Sequence, residues 1–196
     1  MELKNKRIIV TGGSDGIGRH ICLKLAAVGT RLAILGRDAD RLAAVEAECI
    51  AAGASEAIGI ACDIQNPDAI SGAVEQVTAA FGGLDILINN AGIWHKTGPL
   101  DEIPPQLLQA TVQTNLTGLM QITQAAIPAL RANDEAIILN VVSKSGVVAQ
   151  AGQSVYTATK YGVRGFTEVL KADEENTGVR VGGVYQSGTN TGMFSK

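Results

Sequence analysis

A phenol and an ammonium stand four residues apart in Tyr156-Thr157-Ala158-Thr159-Lys160, thirteen residues after the hydroxyl of Ser143. On a helix, positions i and i+4 share one face, so the two side chains address one small volume. A phenol beside a cation loses its proton more readily than in water, which suits this trio to proton transfer at an oxygen atom. Taken alone, a tyrosine and a lysine one turn apart are an ordinary helix pair, and Ser143 an ordinary strand-end hydroxyl. A second pattern changes that weight. The run Thr11-Gly12-Gly13-Ser14-Asp15-Gly16-Ile17-Gly18 follows the apolar Ile8-Ile9-Val10 and precedes a helical stripe. A glycine-rich turn from strand to helix lets backbone amides approach a pyrophosphate at the helix N-terminus. Acid–base groups and a dinucleotide site in one chain point to nicotinamide-dependent redox chemistry.

The elements that must position these groups are legible as alternation. Short β-rich runs at Arg7 to Val10, Arg31 to Leu35, Ala57 to Ala61, Leu84 to Ile88, Ala136 to Val142 and Val179 to Tyr185 read as strands separated by helical patterns. Such alternation predicts an α/β fold: a Rossmann-like, doubly wound parallel sheet with helices on both faces. Ile70, Val74, Val77 and Phe81 form one helical stripe, and Ile17, Ile21, Leu25 and Val28 a second, both expected to face the sheet. Pro105 to Ala132 and Gln153 to Asn176 read as two longer helices, the first opened by a proline where a missing N–H costs little.

The 196 residues, 46% of them hydrophobic, read as a single domain spanning 1–196, with no Pro/Ser-rich linker dividing them. A formal net charge of −3 with scattered Lys and Arg argues against nucleic acid and anionic membrane as partners. No apolar run reaches membrane-spanning length or forms a signal h-region, so a cytoplasmic protein is expected. Cys22, Cys49 and Cys62 are odd in number and form no Cys-x-x-Cys, which suggests reduced packing residues and no metal site.

The spacing Thr11-Gly12-x-x-x-Gly16-x-Gly18 departs from the general Gly-x-Gly-x-x-Gly fingerprint and resembles the short-chain dehydrogenase/reductase family. Asn89-Asn90-Ala91-Gly92 at the end of the fourth strand matches that family's Asn-Asn-Ala-Gly motif, Asn115 its helical asparagine, and Ser143, Tyr156 and Lys160 its remaining catalytic positions. The resemblance spans nearly the whole chain. It implies that Gly12, Ser14, Asp15, Gly16, Ile17 and Gly18 bind the dinucleotide phosphates, with Asn90, Ala91 and Gly92 beside them, and that Asp63, with Ile64 next to it, meets the adenine. It implies that Tyr156 is the acid or base, that Lys160 lowers the Tyr156 pKa and binds the nicotinamide ribose, that Ser143 polarises the substrate oxygen, and that Asn115 holds water in a proton relay. It also implies a small-molecule carbonyl or alcohol substrate and a homodimer or homotetramer paired through the two long helices.

The second strand ends Leu35-Gly36-Arg37-Asp38. An NAD site wants an acid there for the ribose 2′-hydroxyl, whereas a 2′-phosphate wants an arginine. Gly36 stands where the acid would be, with Arg37 beside it, which predicts NADP(H); the plainer alternative makes Arg37 a solvated residue and Asp38 an N-cap. Trp94 and His95 are either pocket residues or a loop pair, and Val147, Val148, Gln150, Met193 and Phe194 are further possible substrate contacts. After the sixth strand the family's Pro-Gly pair is replaced by Gln186-Ser187, leaving Gly188 and Thr189 or Thr191 to meet the nicotinamide. The chain ends at Lys196, where the resemblance leads one to expect a substrate-covering segment, another helix and a seventh strand. An oxidoreductase is therefore the first reading, a non-catalytic dinucleotide-binding module the second, and an epimerase or dehydratase with retained cofactor the third.

Overall fold

The computed structural model describes residues 1–188. Six parallel strands, β1 (Arg7–Thr11), β2 (Arg31–Gly36), β3 (Glu56–Ala61), β4 (Ile86–Asn89), β5 (Ala136–Val141) and β6 (Val179–Val184), form one sheet in the order β3-β2-β1-β4-β5-β6. The direction of winding reverses between β1 and β4, and the crevice at the carboxyl ends of these strands is where open α/β sheets bind ligands. The helices are α1 (Gly16–Ala26), α2 (Ala39–Ala52), α3 (Pro67–Phe81), α4 (Pro105–Val112), α5 (Leu119–Arg131) and α6 (Ser154–Asp173).

Both faces of the sheet are covered, which is why its strands are nearly continuous apolar runs. Along β1, Ile8 and Val10 join Cys22, Ala26, Leu42 and Val45 on the α1–α2 side, while Ile9 joins Ile70, Val77, Ile122 and Leu130 on the α3–α5 side. The α3 stripe is buried as its spacing requires. The α1 stripe is not: its buried residues are Gly18, Cys22 and Ala26, and Val28 is exposed. The cause lies at the helix start, where a Cβ on Gly18 would meet the Gly12 carbonyl and stand 2.6 Å from the Asn90 amide. So close an approach admits only a small residue at Gly18, while Ile21 and Leu25 are partly buried against the core on this side. All three cysteines are free and buried, and Cys22 lies against the back of the glycine loop.

The helix expected over Pro105 to Ala132 is interrupted by a π-helical turn, Gln113–Gly118, between α4 and α5. Pro105 does stand in the first turn of α4.

Candidate active site

The glycine loop is built by backbone geometry. Gly12 and Gly16 have φ of +62° and +52°, in the left-handed region that favours glycine. Asp15 caps α1, its carboxylate accepting from the Gly16 N–H at 2.7 Å. The loop is fastened to the end of β4: the Thr11 hydroxyl oxygen accepts from the N–H groups of Asn90 and Ala91, both at 3.0 Å, and the Asn90 side chain donates to the carbonyls of Thr11 and Gly12. Asn89 lies deeper, donating to Thr123 at 2.8 Å and Asn140 at 2.9 Å, so it supports the sheet and not the cavity.

This crevice opens into a cavity of about 310 Å³. One end is lined by Gly12, Ser14, Asp15, Gly16, Ile17, Arg37, Asp63 and Ile64, the middle by Asn90, Ala91 and Gly92, and the other end by Tyr156 and Lys160. Asn115 and Ser143 are not on this wall, and Thr189 lies outside the described residues, as do Thr191, Met193 and Phe194. Trp94 lines the cavity, whereas His95 is buried with an unpartnered Nε2 and is not on its wall. Val147 and Val148 are exposed. Sequence reasoning missed Thr11 as the staple of the loop; its position just before the glycines was the available signal. It also reads Gln186 only as a lost proline, whereas the residue is part of the cavity wall.

Around the second strand, a Cβ on Gly36 would stand 2.7 Å from the Ser14 hydroxyl, so an acidic side chain there would displace Ser14. Arg37 is exposed and, among the described residues, enters no ion pair. Asp38 does cap α2, accepting from the Arg41 N–H at 3.1 Å. The Arg41 guanidinium then bridges Asp15 at 3.0 Å and Asp38 at 3.3 Å, joining the caps of α1 and α2.

At the other end, Lys160 is 4% exposed and donates to the Val141 carbonyl at 2.8 Å. Burial lowers its pKa to about 8. Its Nζ stands 5.7 Å from the centroid of the Tyr156 ring. The expectation that Lys160 depresses the Tyr156 pKa is not met in this state: burial raises the phenol, and only the Ser143 hydroxyl opposes it. Ser143 has φ +83° and ψ 155°, a conformation L-residues rarely adopt, at the turn from β5 into a short 3₁₀ segment, Lys144–Gly146. The turn is held by the Ser143 and Val142 N–H groups donating to the Val184 carbonyl, at 3.2 and 2.9 Å.

Asn115 sits in the π-helical turn and is fully buried. Its Oδ1 accepts from the Ile93 N–H at 2.7 Å and its Nδ2 donates to the Ile93 carbonyl at 2.8 Å. A weaker contact at 3.4 Å reaches Thr159. Its side chain therefore clamps the segment after Gly92 to α6, and a water relay through that side chain would have to displace these bonds.

The close-approach glycines, the amides at the start of α1 and a cavity that takes in both this loop and the Tyr156 phenol fit a dinucleotide. The chain is similar to D-beta-hydroxybutyrate dehydrogenase of Cupriavidus necator, with 35% identity over 99% of this chain and 74% of that protein. Its fold matches the 3-ketoacyl-(acyl-carrier-protein) reductase of Brucella melitensis complexed with NADH, at TM-score 0.93 and 28% identity over 98% of this chain and 79% of that one. It also matches a variant actinorhodin polyketide ketoreductase with NADPH, at TM-score 0.92 and 31% identity over 96% and 72%. The short chain dehydrogenase model matches residues 6–196. The chain thus belongs to the short chain dehydrogenase family, oxidoreductases that bind a nicotinamide dinucleotide.

Proposed function

We propose that this protein is an NADP(H)-dependent oxidoreductase that interconverts a small carbonyl compound and its alcohol, with Tyr156 as the acid in reduction and the base in oxidation. The observation that carries this reading is the cavity itself, which joins the glycine loop at one end to Tyr156 and Lys160 at the other. A bound reduced nicotinamide supplies the hydride. As negative charge grows on the carbonyl oxygen, Tyr156 gives it a proton, and the raised pKa keeps that proton in place at neutral pH until it is needed. Ser143, whose hydroxyl favours the ionised phenol, orients the substrate oxygen. Lys160 offers its remaining N–H groups to the cofactor ribose, and Asn115 fixes the Ile93 backbone beside the cavity.

Three features support NADP(H): the space at Gly36 is filled by Ser14, Arg37 faces the cavity, and neither of its aspartate neighbours is paired with it. Both nicotinamide cofactors occur among the similar solved structures, so the preference rests on these residues. We further read residues 1–196 as one catalytic domain of a cytoplasmic homodimer or homotetramer; among the described residues no helix is long and apolar enough to cross a membrane.

The test combines titration with turnover. NADPH and NADH are titrated side by side, and a panel of ketones and aldehydes is screened for NADPH oxidation. NADPH should bind more tightly, and Tyr156→Phe should lower turnover by about 10²–10⁴ while leaving cofactor affinity unchanged, as expected for loss of a general acid. Turnover that survives in the phenylalanine variant would reject Tyr156, and a preference for NADH would reject the cofactor assignment.

A further inference from the structure

A chain of buried side chains joins α6, β5, β4 and α5. Thr167 on α6 gives its hydroxyl proton to the Val163 carbonyl at 2.6 Å, so towards other groups its oxygen can only accept, and it accepts from the Asn140 side-chain amide at 2.9 Å. The Asn140 Oδ1 accepts in turn from Asn89 at 2.9 Å, and Asn89 also donates to Thr123 on α5 at 2.8 Å. Thr123 gives its own proton to the Leu119 carbonyl at 2.7 Å. All four side chains are buried. With both hydroxyl protons committed to the backbone, every bond in the chain has one direction and both amides have one orientation. The Asn89 Oδ1 is left without a partner. A buried acceptor left unmet is unfavourable, so the chain is better suited to fixing the relative places of these four elements than to adding stability.

The elements joined include the two that carry the acid–base groups. On α6, Tyr156, Lys160, Val163 and Thr167 fall at i, i+4, i+7 and i+11, along one face of the helix. On β5, Asn140 and Val141 come just before the turn to Ser143. Thr167 meets β5 at the Asn140 side chain, and Lys160 meets it one residue further on, at the Val141 carbonyl. Lys160 also lines the cavity, where the proposed function assigns it to the cofactor ribose, whereas Thr167 is not on the cavity wall. We propose that Thr167 is a positioning residue, whose bond to Asn140 sets the place of α6 along β5 and so holds Tyr156 and Lys160 in register with Ser143. A helix advances about 1.5 Å per residue, so a slip of less than one residue moves the phenol far enough to slow a proton transfer.

This inference rests on the proposed proton transfer by Tyr156, and its test separates the two. The probes are NADPH and 4-nitrobenzaldehyde, taken as one member of the carbonyl panel. Rates are expressed per NADPH-binding site, so that unfolded protein is not counted. Thr167→Val keeps the shape and removes the hydroxyl; Thr167→Ala is the smaller replacement, so that one can stand if the other fails to fold. Both should lower kcat by about tenfold or more, the effect of a small misplacement of a reacting group, with KM for the aldehyde and Kd for NADPH within about twofold of the wild type. Thr167→Ser, which keeps the hydroxyl, should restore kcat to within about threefold of the wild type. An unchanged kcat in the valine and alanine variants overturns the role of Thr167, as does a loss that serine does not restore or one that falls on KM and Kd instead. Each of these leaves the proposed function standing. A wild type that reduces neither this aldehyde nor any other member of the panel overturns the proposed function and this inference with it.

Discussion

The two ends of the cavity are built on opposite terms. At the outer end, Asp15, Asp38 and Arg41 are about half exposed and meet in ion pairs of 3.0 and 3.3 Å, with Arg37 free in solvent beside them. At the inner end, Lys160 and Asn115 are buried, Ser143 is held at a positive φ and a π-helical turn interrupts a helix. Charges in water interact weakly and are screened by salt, so residues at the outer end can be exchanged with small effect on the fold. Groups at the inner end are desolvated or strained, and they keep their places only because many neighbours require it. The proposed function thereby places selection between cofactors where exchange disturbs the fold little, and proton transfer where it disturbs the fold most.

The sharpest way to break this contrast is at Lys160. Its pKa is about 8 in the folded protein against 10.5 for an ordinary lysine. Between those values the unfolded chain holds a proton that the native state has released. Stability from this group is therefore full above about pH 10.5, falls as the pH drops towards 8 and is constant below that. Lys160→Met removes the titration, so the unfolding free energies of wild type and variant should diverge by on the order of 3 kcal/mol across that window, with rising pH favouring the wild type. Chemical unfolding at several pH values reads this directly, and a pH-independent difference would put the ammonium in water.

A smaller effect is expected at Ser143. Both Ser143→Ala and Ser143→Gly lose the hydroxyl, but only glycine is at ease at φ +83°. The glycine variant should be the more stable of the two by about 1 kcal/mol in urea unfolding, reversing the usual order of these residues. Equal stabilities would mean that the turn relaxes and that the inner end is less constrained than its geometry implies.

The smallest effect belongs to the outer end. Asp15→Asn keeps an N-cap but releases Arg41 from one carboxylate. It should improve the affinity for NADPH relative to NADH by about two- to fivefold, an advantage that fades with added salt. An equal gain for both cofactors would remove Asp15 from 2′-phosphate discrimination.

The sequence disclosed the fold well because each strand is apolar through its length and punctuated by glycine or polar turns; all six were placed within two residues at either end, β4 shifting to Ile86–Asn89. The α3 stripe succeeded because large residues bury where space is ample. The α1 stripe was met only in part, with Ile21 and Leu25 half-buried against the core and Val28 exposed, because periodicity counts hydrophobicity whereas the contact of α1 with the glycine loop selects for smallness. At the site, glycine spacing and the Tyr156–Lys160 interval were visible as local patterns. The Thr11 staple to Asn90 and Ala91 and the Asn115 clamp on Ile93 were not, since they join residues about 80 and 22 apart, and nothing local announces them. The raised Tyr156 pKa was missed for a related reason: charge pairs can be guessed from spacing, but desolvation depends on everything packed around the phenol.

The π-helical turn at Gln113–Gly118 carries a consequence for sequence length. Such a turn holds one residue more than the regular helix needs, so the faces of α4 and α5 are out of phase by roughly 100°. Deleting a single residue in that turn would give an unbroken helix with better local hydrogen bonding, yet it would rotate every side chain on one side of the deletion away from its present neighbours. Asn115 would leave Ile93, or the α5 residues Ile122, Ala126 and Leu130 would leave the core. Point substitutions within this turn are graded in their effects, but insertions and deletions are all-or-none, and the length of the segment is as much a functional specification as any side chain in it.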